Sequence, residues 1–379
     1  MQRLSITPRT DWKQKVEELG LLYHSTMGSL YWNESAAYRF STREVEVLEA
    51  ATNELHEICL EAVQHVIDQE RFSELGIPPI AVPAIIRTWD EEPPSLYGRF
   101  DLAFDGVNPP KMLEYNADTP TALLEAAVVQ WYWLQEVAPR DDQFNSIWES
   151  LVAKWTELRE GNYLAGQPVY FAHVKDMEDL MTVTLLRDTA ERAGVRTEGI
   201  HITDVGFVPE ERQFFDQQGN PIRCIFKLYP WEWMVNEPFG QGALDPSART
   251  QWIEPVWKMV LSNKGILAIL WELFPHHPNL LEAHIGRSHN LSHYARKPLL
   301  SREGANVTIK NTDELSRTGG DYGEEGFVYQ ALAMIPDCGG HRPVIGSWVI
   351  DGVARGIGVR ESDGPITDNL SRFVPHLMS

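Results

Sequence analysis

Four polar residues in a predicted hairpin have the types and spacing to bind a metal ion beside a phosphate group. Residues 97–116 read YGRFDLAFDGVNPPKMLEYN, two runs of alternating apolar residues around a turn-rich centre. Side chains alternate between the faces of a strand, so Arg99 shares a face with Asp101, and Glu114 shares one with Asn116. A turn at 106–109 predicts these pairs across the hairpin: Arg99 with Asn116, Asp101 with Glu114, and Asp105 with Pro110.

The donor atoms of this cluster indicate which metal it would take. Asp101, Glu114 and Asn116 offer only oxygen ligands at the face of the sheet, which suits a hard cation such as Mg²⁺. Arg99 beside them has the planar guanidinium that binds phosphate or carboxylate. The alternative interpretation is an ordinary polar outer face of a sheet, where charges of mixed sign are common.

The residues after the hairpin predict an anion site next to the metal site. Thr119 is a suitable N-cap and Pro120 a suitable first residue for a helix through the apolar run 122–137. The free N–H groups of its first turn would point back towards the carboxylates.

Several segments in order along the chain resemble one family. The hairpin segment GRFDLAFDG…KMLEYNADTPT is similar to the metal-binding hairpin of the glutathionylspermidine synthetase family, which are ATP-grasp acid–amine ligases. The resemblance continues through SNKGILAILWELFP, YARKPLLSREGANVTI, VYQALAMIP and IGSWVIDGVARGIGVRESDGPITDN, and covers the chain from about Trp12 to its C-terminus. Because no amidase domain precedes the hairpin, the chain most resembles the synthetase-only members.

The resemblance implies a fold and a division into lobes. We expect a mixed α+β and α/β protein, an ATP-grasp fold with an additional α/β substrate lobe, over residues 1–379. The expected lobes are 1–160 with the metal hairpin, 161–245 for the substrate, and 246–379 for the nucleotide. Residues 297–306 join a lysine to a glycine-containing loop, which could close over a nucleotide as a lid that is mobile in its absence.

The implied chemistry is amide formation through an acyl phosphate. ATP transfers its γ-phosphoryl group to a carboxylate, and an amine then displaces phosphate, so the site needs cations more than a nucleophilic side chain. The resemblance implies ATP with two Mg²⁺ ions and these roles: Asp101, Glu114 and Asn116 for Mg²⁺; Lys264, Lys297 and Gly304 for phosphates; Gln330, Ala331 and Leu332 for adenine; Ile366 and Thr367 within 365–369 for the nucleotide and substrate site; and Arg99 and Arg360 for the transferring phosphoryl group and the acid.

The substrates are expected to be a glutathione-like peptide acid and a polyamine-like amine. Thr119 and Thr121 would contact the acid, and Glu232 with residues 176–179 would receive the amine. Two alternatives remain open. One is a ligase for a different acid and amine pair, and the other is a catalytically silent nucleotide-binding regulator, which the intact metal residues and both lysines disfavour.

Composition limits the partners. The chain has 379 residues and a net charge of 33 − 54 = −21, which argues against nucleic acid or an anionic membrane. Three isolated cysteines, no apolar run of membrane-spanning length and no signal-peptide core at the N-terminus lead us to expect a cytoplasmic protein. A zinc site among the histidines at 276, 277, 284, 289 and 293 is disfavoured, because Pro278 and Gly286 interrupt any common helix.

Periodicity and turn signals also predict the elements that carry these residues. Residues 168–202 form a βαβ unit whose helix is capped by Asp176. The predicted helices are 11–20, 143–159, 176–193, 248–261, 264–274 and a long helix opened by a capping box at Ser41. The predicted strands are 84–88, 168–174, 195–202, 223–228, 307–310, 327–335 and a hairpin of 344–350 with 353–359. The long helix is predicted to bury one apolar stripe, made of Leu48, Ala51, Leu55, Ile58, Ala62 and Val66.

Overall fold

The chain folds into alternating groups of short strands and helices. A computed structural model describes residues 1–26, 28–312, 315–368 and 371–379. The α-helices in this part are α1 (Trp12–Glu18), α2 (Thr42–Asp68), α3 (Val82–Glu91), α4 (Gln130–Val137, continuing a π-helical turn at Glu125–Val129), α5 (Ile147–Glu160), α6 (Met177–Arg192), α7 (Trp231–Met234), α8 (Gly240–Leu244), α9 (Lys258–Ser262) and α10 (Ile266–Leu273).

The strands are grouped into sheets that follow the order of the chain only in part. Their bounds are β1 (Gln2–Ser5), β2 (Ser25–Thr26), β3 (Ser29–Leu30), β4 (Ala36–Phe40), β5 (Tyr97–Ala103), β6 (Lys111–Asn116), β7 (Val169–His173), β8 (Thr197–His201), β9 (Gly206–Val208), β10 (Gln213–Phe215), β11 (Pro221–Ile222), β12 (Cys224–Leu228), β13 (Gln251–Ile253), β14 (Ala283–Ile285), β15 (Tyr294–Pro298), β16 (Thr308–Lys310), β17 (Leu315–Arg317), β18 (Phe327–Ala331), β19 (Arg342–Ile350), β20 (Val353–Ser362), β21 (Arg372–Val374) and β22 (His376–Met378).

The predicted hairpin is confirmed, and it forms one side of a five-stranded antiparallel sheet. The sheet has the order β21-β20-β19-β5-β6. Arg99 lies opposite Asn116 and Asp101 opposite Glu114, as predicted, and the β19–β20 hairpin is also confirmed. The predicted pair of Asp105 with Pro110 is wrong. The register shifts after Asp101 and pairing ends at Ala103 with Lys111, because a β-bulge takes up one residue, Leu113.

Helix α2 covers this sheet with the apolar stripe that the sequence predicts. Ser41 accepts a hydrogen bond from the Glu44 N–H, and Glu44 accepts one from the Ser41 N–H, so the capping box is confirmed. Buried residues on α2 include all those of the predicted stripe: Leu48, Ala51, Leu55, Ile58, Ala62 and Val66. Apart from Ala51, these residues pack in one apolar core with the hairpin residues Phe100, Leu102 and Tyr115.

A second sheet is parallel and has the order β13-β12-β7-β8. The predicted βαβ unit is confirmed, since β7 and β8 pair in parallel and α6 connects them. Asp176 caps α6 by accepting hydrogen bonds from the N–H groups of Glu178 and Asp179. The unit therefore places the start of α6 at the carboxyl end of β7.

A third sheet, antiparallel with the order β14-β18-β15-β16-β17, carries the segments predicted to hold the nucleotide. A small sheet, β1-β4-β22, joins the two ends of the chain. In the ranges that the structure describes, no helix is both long and apolar enough to cross a bilayer.

Three predicted elements are wrong. Residues 84–88 belong to helix α3 and not to a strand, because Pro83 occupies the first turn of a helix, where proline is tolerated. Residues 248–261 do not form one helix, since Pro255 follows strand β13 and α9 begins only at Lys258. The helix expected from Pro120 begins at position 123, because Ala122 has a positive φ of 64°.

Candidate active site

A cavity of about 980 Å³ is lined by residues from all three larger sheets. It brings together almost all of the site residues that the sequence predicts. Glu232 is the exception, and it lies behind Arg302, which itself lines the cavity. The predicted residues on the wall are Arg99, Asp101, Glu114, Asn116, Thr119, Thr121, Lys264, Lys297, Gly304, Gln330, Ala331, Leu332, Arg360, Ile366 and Thr367. Asn369, at the end of the segment 365–369, lies outside the described residues.

Asp101 is held by two arginines from different strands. Arg99 Nε lies 2.8 Å from Asp101 Oδ1, and Arg360 Nη2 lies 2.7 Å from Asp101 Oδ2. Arg99 also donates through Nη1 to the Thr121 carbonyl at 2.6 Å. Asp101 and Arg99 are only 5% and 6% exposed, and buried charges of this kind require a partner. Both predicted acid-binding arginines thus meet at one predicted metal ligand.

Glu114 has a cationic partner as well. Lys264 Nζ lies 3.0 Å from Glu114 Oε2, and Asn116 donates to Glu114 Oε1 at 3.1 Å. Burial alone would raise the pKa of Glu114, but the charges of Lys264 and Lys297 outweigh burial and hold the pKa well below its usual range. Glu114 therefore stays ionised inside the cavity.

The β-bulge in the hairpin creates a binding site for Lys297. Leu113, the bulged residue, accepts a hydrogen bond on its carbonyl from Lys297 Nζ at 2.8 Å. The Gln330 side chain accepts a second one at 2.8 Å and donates to the Met112 carbonyl at 2.9 Å. Burial lowers the pKa of Lys297 to about 8. The bulge thus connects the hairpin to the third sheet through a lysine that faces the cavity.

The predicted adenine segment is partly engaged in that sheet. The Ala331 N–H donates to the Glu282 carbonyl at 2.7 Å, and the Leu332 N–H donates to the His293 carbonyl at 3.2 Å. The residues that follow, Ala333, Met334 and Ile335, also line the cavity. An adenine edge that needs an N–H donor would therefore meet the segment just after Leu332.

Another part of the cavity wall is acidic. Asp176, Glu178 and Asp179 line it at the start of α6. Among the described residues, none of these three carboxylates lies within 4.0 Å of a lysine, arginine or histidine nitrogen. Burial, with the charges of Asp176 and Glu178, raises the pKa of Asp179 to about 7. Burial also raises the pKa of Glu178, beside the Thr121 hydroxyl. Such a wall suits a cationic ligand.

Arg302 is a site residue to which the sequence analysis assigned no role. Its guanidinium donates to Glu232 Oε1 at 2.8 Å and to Thr119 Oγ1 at 2.6 Å. Thr119 is not the N-cap predicted for the following helix, because that helix begins at position 123. The same loop carries Gly304, where a Cβ atom would lie 2.7 Å from the Thr367 carbonyl oxygen, so a larger side chain would prevent this approach. The sequence signal that could have identified Arg302 is its position, a basic residue two places before Gly304.

A buried ion pair positions the residues on either side of Arg302. Lys227 Nζ lies 2.5 Å from Asp118 Oδ1, and both side chains are almost fully buried. Asp118 Oδ2 also accepts the Trp231 N–H at 3.0 Å. Asp118 precedes Thr119, and Trp231 precedes Glu232, so the pair holds the two acceptors of Arg302 close together. A lone aspartate and a strand lysine give no sequence signal for this contact.

The oxygen donors of the hairpin fit a hard cation. Within residues 1–26, 28–312, 315–368 and 371–379, no three histidine, cysteine, aspartate or glutamate side chains form a metal-binding group. Asp101, Glu114 and Asn116 offer two carboxylates and one amide, all on the cavity wall. Mg²⁺ usually takes one or two carboxylates from the protein and completes its ligands with water and substrate phosphates. Two carboxylates beside lysines that are predicted to bind phosphate agree with that pattern.

Known proteins resemble the whole chain. A family model described as glutathionylspermidine synthase preATP-grasp matches residues 3–379. A protein of Haemophilus influenzae named as an acid–amine ligase is 39% identical over 392 residues, covering 99% of this chain and 99% of that protein. A trypanothione synthetase of Crithidia fasciculata is 29% identical, covering 84% of this chain and 53% of that protein. The bifunctional glutathionylspermidine synthetase/amidase of Escherichia coli is 25% identical, covering 96% of this chain and 63% of that enzyme.

A solved structure agrees with the fold. A glutathione synthetase-like effector from Globodera pallida superimposes with a TM-score of 0.57 at 11% identity, covering 97% of this chain and 96% of that one. The fold is the mixed α/β, ATP-grasp type that the sequence predicts, and the protein is an ATP-dependent carbon–nitrogen ligase. The chain belongs to the glutathionylspermidine synthase preATP-grasp family.

Proposed function

We propose that the protein joins a small peptide acid to a polyamine-like amine through an acyl phosphate, and that glutathione and spermidine are the pair to test first. One observation carries this proposal: a single cavity has a cationic wall at the hairpin and an acidic wall at the start of α6. The first suits ATP and a carboxylate, and the second suits an ammonium group. The relatives named as glutathionylspermidine and trypanothione synthetases support the choice of substrates.

The phosphoryl-transfer step depends on the cationic wall. Lys264 and Lys297 would bind phosphate oxygens, while Arg99 and Arg360 would bind the acid and the transferring phosphoryl group. Asp101, Glu114 and Asn116 would hold two Mg²⁺ ions, which neutralise phosphate charge when bound. Both arginines contact Asp101. Their guanidinium groups would therefore exchange a carboxylate for substrate oxygens when ligands enter.

The remaining residues would enclose the nucleotide and the acid. Gln330, Ala331 and Leu332, with the segment that follows, would contact adenine. Loop 297–306 would cover the phosphates, with Gly304 against Ile366 and Thr367. This closure would exclude water from an acyl phosphate that hydrolyses readily.

The two substrates would meet between the two walls. Thr119 and Thr121 would contact the peptide acid. Glu232, with Asp176, Glu178 and Asp179, would receive the cationic groups of the amine. Arg302 donates a hydrogen bond to the Glu232 carboxylate. The amine would therefore displace Arg302 or share the carboxylate with it.

The test is ADP release with each substrate alone and with both together. Glutathione plus spermidine should release ADP in a one-to-one ratio with an amide product, which mass spectrometry should find one water lighter than the two substrates combined. If spermidine is inactive while another amine works, the polyamine assignment fails and the ligase for a different pair stands. If ATP binds but no acid and amine pair gives ADP, the silent regulator replaces the proposal.

A further inference from the structure

A ligase of this kind must remove protons from its amine. An alkylammonium group has a pKa of about 10, so it is protonated at neutral pH and has no free electron pair to attack with. An acidic wall holds this cation well, but binding the charged form also opposes its reaction. A carboxylate at the junction of the two walls could resolve this conflict by accepting one proton.

Glu178 lies at that junction. Its carboxylate is beside the Thr121 hydroxyl, and the Thr121 carbonyl accepts the Arg99 guanidinium at 2.6 Å. Glu178 lines the same cavity as Arg99 and Arg360, and the charges of both arginines act on it. The other charged or titratable groups around it are Glu303 on the loop, Asp179 on the same helix, Glu125 on the helix after Thr121, and Tyr31.

Other acids on the cavity wall are less suitable. Asp101 and Glu114 are paired with arginines and a lysine. Asp176 uses Oδ1 to cap α6. The charge of Arg302, on the loop 297–306, acts on Asp179. Asp179 is therefore placed to bind the cation away from the acid.

We infer that Glu178 is the general base that deprotonates the attacking amine, an inference that rests on the proposed function. The Glu178 carboxylate takes one proton from the substrate ammonium. The freed nitrogen lone pair forms the C–N bond at the acyl carbon, and the C–O bond to phosphate breaks with its electron pair. The second N–H proton leaves with inorganic phosphate as hydrogenphosphate, so charge and atoms balance. Burial raises the pKa of Glu178, which makes it a better base once ionised.

The decisive experiment compares two nucleophiles in wild-type protein and Glu178→Gln. Hydroxylamine is already uncharged at neutral pH, so it traps an acyl phosphate as a hydroxamate without a base. With ATP and glutathione, Glu178→Gln should lower kcat for spermidine, or for the amine identified by the panel above, by about 100-fold or more, while hydroxamate formation falls by less than about threefold. Glu178→Asp should recover part of the loss.

Two controls and a pH profile complete the test. Asp188→Asn, an exposed carboxylate on the same helix, should leave both rates unchanged. Asp179→Asn should raise KM for spermidine more than it lowers kcat. The wild-type kcat/KM for the amine should rise with pH as Glu178 ionises, and this acidic limb should move towards the pKa of the amine itself in Glu178→Gln.

The outcomes separate the two hypotheses. Equal losses with both nucleophiles, or an unchanged rate with the amine, would overturn the role of Glu178. Wild-type protein that forms neither hydroxamate nor ADP with any acid would instead contradict the proposed ligase reaction. Thermal unfolding of each variant shows whether a lost rate reflects a lost fold.

Discussion

The predicted metal ligands and the predicted phosphate ligands are paired with each other. Asp101 lies between Arg99 and Arg360, and Glu114 contacts Lys264. The physical reason is that buried charges need partners, and each group here is the nearest counter-charge of the other. Binding of ATP and Mg²⁺ would replace both sets of pairs at once, so metal and nucleotide should depend on each other.

Neutralising either hairpin carboxylate should remove ATP turnover. We expect Asp101→Asn and Glu114→Gln each to lower it by at least about 100-fold, because each keeps the shape of the side chain but removes charge where phosphate charge must be balanced. A coupled assay for ADP measures this, and Glu198→Gln, an exposed change on β8, serves as the control. Turnover retained with an unchanged Mg²⁺ dependence would exclude the hairpin from the reaction.

Glu125 should make the stability of the protein depend on pH. Its side chain is buried, Oε1 has no hydrogen-bond partner among the described residues, and burial raises its pKa to about 7. The folded state thus favours the protonated acid. Below the unfolded pKa of about 4.3, the contribution of Glu125 to the free energy of unfolding is fully present. This contribution is lost as the pH rises and is gone above about pH 7.

Glu125→Gln should therefore gain stability relative to wild type as the pH rises. The gain should be about 3 kcal/mol larger at pH 8 than at about pH 4. Urea unfolding at both pH values measures it, with Glu211→Gln as an exposed carboxylate control. The same difference at both pH values would show that Glu125 is not protonated in the folded protein.

At the scale of elements, the loop 297–306 lies against α7 and the residues after β6. Arg302 holds it there by contacts to Glu232 on α7 and to Thr119 after β6. The buried pair of Lys227 with Asp118 keeps these two acceptors together. Opening the loop therefore requires breaking charge-assisted hydrogen bonds, and its predicted mobility should depend on them.

Weakening the Arg302 contact should expose the loop to protease. Glu232→Gln should increase trypsin cutting after Arg302 by about tenfold, because a hydrogen bond to a charged group contributes about 1.5 kcal/mol or more. ATP with Mg²⁺ should slow cutting in wild type and variant alike. Glu211→Gln, an exposed change, should behave as wild type. Equal cutting with and without nucleotide would argue against a lid.

At the scale of the whole molecule, the two ends of the chain meet beside the cavity. Glu361 is fully buried and accepts two hydrogen bonds of 2.8 Å from Arg3 on β1 and one of 2.8 Å from Tyr38 on β4. Arg372 on β21 lies 3.5 Å away. Because Glu361 follows Arg360, this network also fixes the end of β20 from which Arg360 reaches Asp101.

Removing Arg3 should destabilise the fold. Arg3→Met should lower the free energy of unfolding by about 3 kcal/mol, because it leaves the buried Glu361 carboxylate without its main partner. Urea unfolding measures the change. Arg39→Met, an exposed residue of the same small sheet, is the matched control and should cost far less. Equal effects of the two changes would mean that Glu361 does not need Arg3.

The sequence by itself determined the parts whose causes are local. The hairpin register at Arg99 and Asp101, the capping box at Ser41 and the cap at Asp176 follow from alternation, turn residues and N-cap chemistry within a few positions. The family and its fold could also be predicted from the sequence, because several segments resemble one family in the same order along the chain. All of the site residues named in this way except Glu232 line the cavity.

Only the tertiary structure decided which charges meet. Arg360 and Asp101 are 259 residues apart, Lys227 and Asp118 are 109 apart, and Arg302 and Glu232 are 70 apart. No local pattern records such contacts, since burial determines them by forcing each charge to find a partner. The bulge at Leu113 and the late start of the helix after Thr121 were likewise seen only in the tertiary structure. Both are local departures from regular geometry in segments that contact Lys297 and Arg99, which come from other parts of the fold.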